Sequence, residues 1–124
     1  MKKTLPAVVL VGHGSKTRGF DAAMRKVAAQ LKRTGLYREV VCAFLEVTSP
    51  SIPEAILHCV QEGASAVKVL PYFVLTGKHV TRDIPLIVQE AAEKFRGRSS
   101  IILCPYLGYH PKIVSVVKER LCDV

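Results

Sequence analysis

Residues 7–16 read AVVLVGHGSK: five apolar residues, three of them valine, then a turn that sets a histidine between two glycines. Ala7 to Val11 fits a strand buried on both faces, because it shows no polar alternation. Beyond the turn the period changes. Phe20, Ala23, Met24, Val27, Ala28 and Leu31 fall at offsets of 3, 4, 7, 8 and 11, which is one face of a helix running from about Phe20 to Lys32. Gly35 supplies its stop. A buried strand, a glycine turn and an amphipathic helix make one β-α unit.

The unit recurs. A second strand is expected at Glu39 to Leu45, and Ser51 and Pro53 open a helix with Ile52, Ile56 and Val60 on one face and Gly63 at its end. A third strand spans Ala66 to Val74, bent or broken at Pro71. Asp83 and Pro85 start a helix whose face is Ile84, Ile87, Val88, Ala91 and Phe95. The fourth strand is Ser100 to Cys104, and Pro111 opens a last helix with Ile113, Val114, Val117 and Leu121 inside. Strict alternation predicts an α/β fold: one domain over residues 1–124, a four-stranded parallel sheet with helices on both faces.

The composition agrees with a globular chain and narrows the partners. Of 124 residues 49% are hydrophobic and 23% charged, and the net charge is +8, which favours an acidic partner. The basic residues are scattered, with no long tract and no aromatic platform, so neither nucleic acid nor a membrane surface is indicated. The four cysteines, at 42, 59, 104 and 122, form no C-x-x-C pair; Cys42 and Cys104 read as buried thiols, and a reducing compartment fits. Met1-Lys2-Lys3 and Leu5 to Val11 imitate a signal peptide. The apolar stretch is short, contains Pro6 and lacks a cleavage site, so a cytoplasmic protein is expected.

In an open parallel sheet, ligands bind beyond the carboxyl ends of the strands, where strand order reverses. The loops there are rich in chemistry: Gly12-His13-Gly14-Ser15-Lys16 after the first strand, Glu46 with Thr48, Ser49 and Ser51 after the second, and Thr76-Gly77-Lys78-His79 after the third. His13, Glu46 and His79 are each 33 residues apart, one β-α unit, and so reach equivalent depth on one edge. Two imidazoles and a carboxylate suit a borderline divalent metal such as Co2+, Ni2+ or Fe2+. Lys16, Arg18, Lys78 and Arg82 flank the histidines and can contact anions or simply face solvent. Glu46 fits equally a surface acid closing its turn. His58, inside a helix, reads as structural, and His110, before Pro111, as a helix cap. A phosphohistidine enzyme would need an arginine where Gly12 stands. A metal carrier stays open on these residues.

Together these motifs resemble a known family. Gly12-His13-Gly14-Ser15, Phe44-Leu45-Glu46 with Pro50-Ser51-Ile52, Pro71-Tyr72-Phe73-Val74, Gly77-Lys78-His79 and Asp83-Ile84-Pro85 follow the order and spacing of the short CbiX proteins, class II chelatases acting on sirohydrochlorin. The resemblance implies a chelatase-like fold and insertion of Co2+ into sirohydrochlorin for cobalamin, with Ni2+ or Fe2+ insertion into the same tetrapyrrole as the alternative. It implies His13 and His79 as metal-binding and catalytic residues, with Glu46 assisting. Ser15, Lys16, Arg18, Lys78 and Arg82 are the expected contacts to the polycarboxylate substrate. The metal is then substrate, and no tightly bound cofactor is expected. One edge cannot enclose a flat tetrapyrrole, so a homodimer is expected, with Leu45, Phe73, Val74 and Leu75 as candidates for the cleft wall or interface.

Overall fold

A computed structural model describes residues 5–75 and 77–124, except the side chains of His79 and Val80. Met1-Lys2-Lys3 and Thr76 lie outside the described residues. Along the chain run β1 (Ala7–Gly12), α1 (Ala22–Arg33), β2 (Val40–Phe44), α2 (Ile52–Gln61), β3 (Ala66–Pro71), a π-helical turn (His79–Asp83), α3 (Ile84–Lys94), β4 (Ser100–Leu103) and α4 (Pro111–Cys122). The four strands form one parallel sheet in the order β2-β1-β3-β4. This is the doubly wound parallel α/β architecture expected from the alternation.

Every residue of β1 is buried, which explains its unbroken apolar run. Its side chains alternate between two cores. Val9 and Val11 join Ile52, Ile56, Val67 and Ile84 under α2 and α3. Val8 and Leu10 join Met24, Cys42 and Phe44 under α1. Connections that run left and right from β1 must cross on opposite faces to stay right-handed, so α1 lies on one face and α2 and α3 on the other. The order reverses between β1 and β3, and their carboxyl ends define the crevice.

Several boundaries move. β3 ends at Pro71, not Val74. Pro71 has no N–H to donate, the pairing with β4 stops at Val69 and Leu103, and Val74 and Leu75 are exposed. α1 starts at Ala22; Phe20 precedes it, 38% exposed, and stacks edge-on against Phe44 with ring centroids 5.4 Å apart. α2 starts as expected, with Ser51 and Glu54 forming a reciprocal capping box. His110 does cap α4, its Nδ1 accepting from Lys112 N at 3.1 Å.

Two burial expectations fail. Cys104 is only half-buried, because β4 is an edge strand. Ile113, Val114, Val117 and Leu121 do not lie inside: no residue of α4 is buried, and Val117 and Leu121 are 50% and 67% exposed. The helix forms with its apolar stripe, but its own chain leaves the stripe uncovered, with only Ile113 half-buried.

Candidate functional site

The loops after β1 and β2 are laced into one unit at the crevice. Leu45 N donates to Gly12 O at 3.0 Å and Glu46 N to His13 O at 3.1 Å. Thr48 closes the other side: its Oγ1 accepts from Ser15 N and donates to Ser15 O, both at 3.0 Å. The two glycines around His13 are packed to different degrees. A Cβ on Gly12 would meet Met24 and Phe44 at 3.2 and 3.3 Å, a tight contact that the flexible end of Met24 can ease. Gly14 has φ +108°, and a Cβ there would fall 1.8 Å from the Glu46 carbonyl oxygen. Val47 sits at φ 69°, a strained conformation for a β-branched residue, next to Glu46 in this lacing.

The result is a fixed juxtaposition. His13 Nε2 stands 3.9 Å from Glu46 Oε2, with both side chains about half exposed, at 51% and 55%. That distance is too long for a hydrogen bond, but it lets both side chains reach one metal ion set between them. Phe73, from the loop after β3, meets the imidazole edge-on with centroids 6.1 Å apart. Beside His13 opens a cleft of about 220 Å³ walled by Phe20, Met24, Phe44 and Tyr72. An imidazole and a carboxylate at the mouth of an apolar cleft can bind a divalent cation and accept protons from a ligand with an apolar body.

The third loop lies at the carboxyl end of β3, where Thr81 N and Oγ1 both donate to Gly77 O, at 2.9 and 3.0 Å. The backbone of His79 opens the π-helical turn; its side chain is outside the described residues, so no distance to His13 follows. Lys16, Arg18, Lys78 and Arg82 are all exposed, and Arg82 Nε lies 3.4 Å from Asp83 Oδ1. Ser15 Oγ accepts from Thr17 N at 3.0 Å. Among the described residues no three His, Cys, Asp or Glu side chains group closely enough to hold a metal. The described site offers two donors.

Other polar residues lie elsewhere. His58 pairs with Glu39 at 3.0 Å near the amino end of β2, as a structural histidine should. Beside them the Cys59 thiol is pushed up to about 12 by burial first and then by the Glu39 carboxylate. No helix among the described residues is long and apolar enough to cross a membrane. Sequence reading missed the Thr48 tie, the strain at Val47 and the aromatic wall; only the glycines beside His13 signalled the close approach.

The fold and site thus define a doubly wound α/β domain with an imidazole–carboxylate pair at its switch point. The sequence profile of the CbiX family matches residues 7–124, and the chain belongs to that family. The sirohydrochlorin ferrochelatase of Arabidopsis thaliana chloroplasts is 36% identical over 114 residues, covering 92% of this chain and 50% of the relative. The sirohydrochlorin cobaltochelatase of Sulfolobus acidocaldarius is 33% identical over 113 residues, covering 91% of this chain and 87% of the relative. The sirohydrochlorin chelatase SirB of Bacillus subtilis subspecies spizizenii, solved with cobalt, superposes with a TM-score of 0.85 at 27% identity, over 97% of this chain and 51% of that one. The chain therefore spans about half the length of the Arabidopsis and Bacillus proteins and most of the Sulfolobus one.

Proposed function

We propose that this protein is a sirohydrochlorin chelatase that inserts a divalent metal, Co2+ in the first instance, and that it works in the cytoplasm as a homodimer. The observation that carries the reading is the lacing of the two loops through Gly14 and Glu46, which holds His13 beside a carboxylate at the switch point. Metal insertion makes no carbon bond. The ion loses water ligands, two pyrrole N–H protons leave, and the macrocycle nitrogens take the metal. His13 and His79 are assigned to hold the metal through their one free ring lone pair, which can take up a pyrrole proton once the metal has passed to the macrocycle. Glu46 is assigned to pass the protons to solvent, and its half-exposed position suits that.

Sirohydrochlorin is a polycarboxylate, and Lys16, Arg18, Lys78 and Arg82 offer it positive charge on the same edge. Ser15 joins them: its Oγ accepts from Thr17 N, which leaves the hydroxyl proton to donate to a carboxylate. The relatives act with cobalt or with iron, and an imidazole–carboxylate pair accepts Co2+, Ni2+ and Fe2+ alike. Two copies facing each other would enclose the disc that one edge leaves open, matching relatives of twice the length.

The test is the absorbance of sirohydrochlorin mixed with the purified protein and each metal in turn. Enzyme-dependent metallation is expected, fastest with the physiological ion and weaker at high salt, which screens the exposed cations. Stoichiometric metal binding with no turnover for any ion would make the protein a carrier instead.

A further inference from the structure

Val47 is held in a shape that valine does not adopt by itself. Thr48 N donates to Glu46 O at 2.7 Å, across Val47 at φ 69°. This closes a three-residue γ-turn of the positive-φ kind, which is rare and strained, the more so at a β-branched residue. The Val47 side chain is 62% exposed, so packing does not hold it there. The ties on either side do. On one side Glu46 N donates to His13 O at 3.1 Å. On the other the Thr48 hydroxyl accepts from Ser15 N and donates to Ser15 O, both at 3.0 Å. One hydroxyl thus serves both backbone groups of a residue 33 positions away, as a neighbouring strand would. Between the two ties lie His13 to Ser15 on one loop and Glu46 to Thr48 on the other. Backbone strain of this kind persists only where the surroundings fix it, and it gathers at functional sites.

We propose that Thr48 is a positioning residue: its hydroxyl holds the γ-turn closed, and the closed turn keeps the Glu46 carboxylate 3.9 Å from His13 Nε2, a gap that one metal ion bridges. Without the hydroxyl, Ser15 N and O lose that partner, and Val47 is free to relax to negative φ. The peptide between Glu46 and Val47 then turns, and the Glu46 carbonyl leaves the space that Gly14 opens by having no Cβ. The two donors drift apart while the fold stays, because neither Val47 nor Thr48 belongs to a core. Thr48 acts through Ser15 and Val47 and needs no contact with metal or tetrapyrrole. This rests on the chelatase reading above and adds what sets the spacing of its pair.

The experiment compares Thr48→Val, which keeps the shape and deletes the hydroxyl, with Thr48→Ser, which keeps the hydroxyl. Co2+ alone is titrated into each folded protein and followed by its visible ligand-field absorbance. Sirohydrochlorin turnover is then measured with kcat and KM separated. Thr48→Val should bind Co2+ about tenfold more weakly and lose about tenfold in kcat, with KM for sirohydrochlorin unchanged, whereas Thr48→Ser should stay within about twofold of native. A residue that served stability alone would lower the melting temperature and leave the constants of the folded protein as they were. Native constants in folded Thr48→Val overturn the proposal, as does an equal loss in Thr48→Ser. A protein that binds Co2+ in this Thr48-dependent way but metallates nothing keeps the positioning and removes the chelatase reading. Turnover that survives Thr48→Val does the reverse, and a native protein with neither binding nor turnover removes both. Should Thr48→Val unfold, hydrogen exchange of the Ser15 amide in the native protein decides. Slow exchange already present without Co2+ supports the preset tie, and exchange that slows only when Co2+ binds overturns it.

Discussion

Helices α2 and α4 begin from the same grammar and end in opposite surroundings. Each has a polar cap, Ser51 or His110, a proline in the first turn, and an apolar stripe. α2 buries Ile52, Ala55, Ile56, Cys59 and Val60; α4 buries nothing. The difference lies in what each helix hangs from. α2 follows the laced loop at Glu46 to Pro50, where Phe44 N also donates to Pro50 O at 2.9 Å. α4 follows the stretch 104–110, tied across by Gly108 N to Phe73 O at 3.1 Å. Local pattern makes a helix and gives it a sticky side. It does not say which surface the sticky side meets.

The largest expected effect contrasts the two stripes directly. Ile56→Ala should cost about 2–5 kcal/mol, since it empties a fully enclosed site. Leu121→Ala should cost less than about 0.5 kcal/mol in dilute single chains, where its side chain already meets water. Urea melts at low protein concentration compare them. Equal losses would mean that α4 packs on its own sheet.

Next comes the lacing that separates the two helix entrances. Gly14→Ala should destabilise the chain by about 1–3 kcal/mol and displace Glu46, because φ +108° and the Glu46 carbonyl both exclude a Cβ. A melt indistinguishable from that of the native protein would deny that the loops are locked. Smaller again is the capping contrast: Ser51→Ala should cost about 1 kcal/mol through the broken capping box. His110→Ala should cost only a few tenths, because α4 contributes no buried residue for its cap to hold in place.

Most of the fold was legible because its signals are local or periodic. The period of 3.6 marked the helices, the apolar run Ala7 to Val11 marked a central strand, and alternation marked a parallel sheet. The strand that overran, Ala66 to Val74, failed because its residues stay apolar after the pairing stops. Val114, Val117 and Leu121 were expected inside because a stripe is silent about its partner. At the site, spacing placed His13 and Glu46 on one edge, and they do meet. The Thr48 tie and the Phe20–Phe44 wall join residues far apart in sequence, which no window of one chain reveals.

A last contrast is chemical. Cys59, in the α2 core, should resist alkylation until the chain opens, while Cys122 on α4 should react at once. The Cys59 thiol stays protonated in the folded state up to about 12, whereas the unfolded thiol ionises near 9. Its contribution is therefore full below about pH 9 and fades as pH rises toward 12, and Cys59→Ala should flatten that alkaline loss. Mass spectrometry of timed alkylation at pH 8, with melts from pH 8 to 11, reads both.

Metallation of a tetrapyrrole by the laced edge, through its histidines, is tested most directly by following sirohydrochlorin absorbance with Co2+ and the native protein, His13→Ala or His79→Ala, each confirmed as folded. Rates lower by about 10²-fold or more are expected in both variants, with stability changed by less than about 0.5 kcal/mol. Native rates in both variants would contradict it.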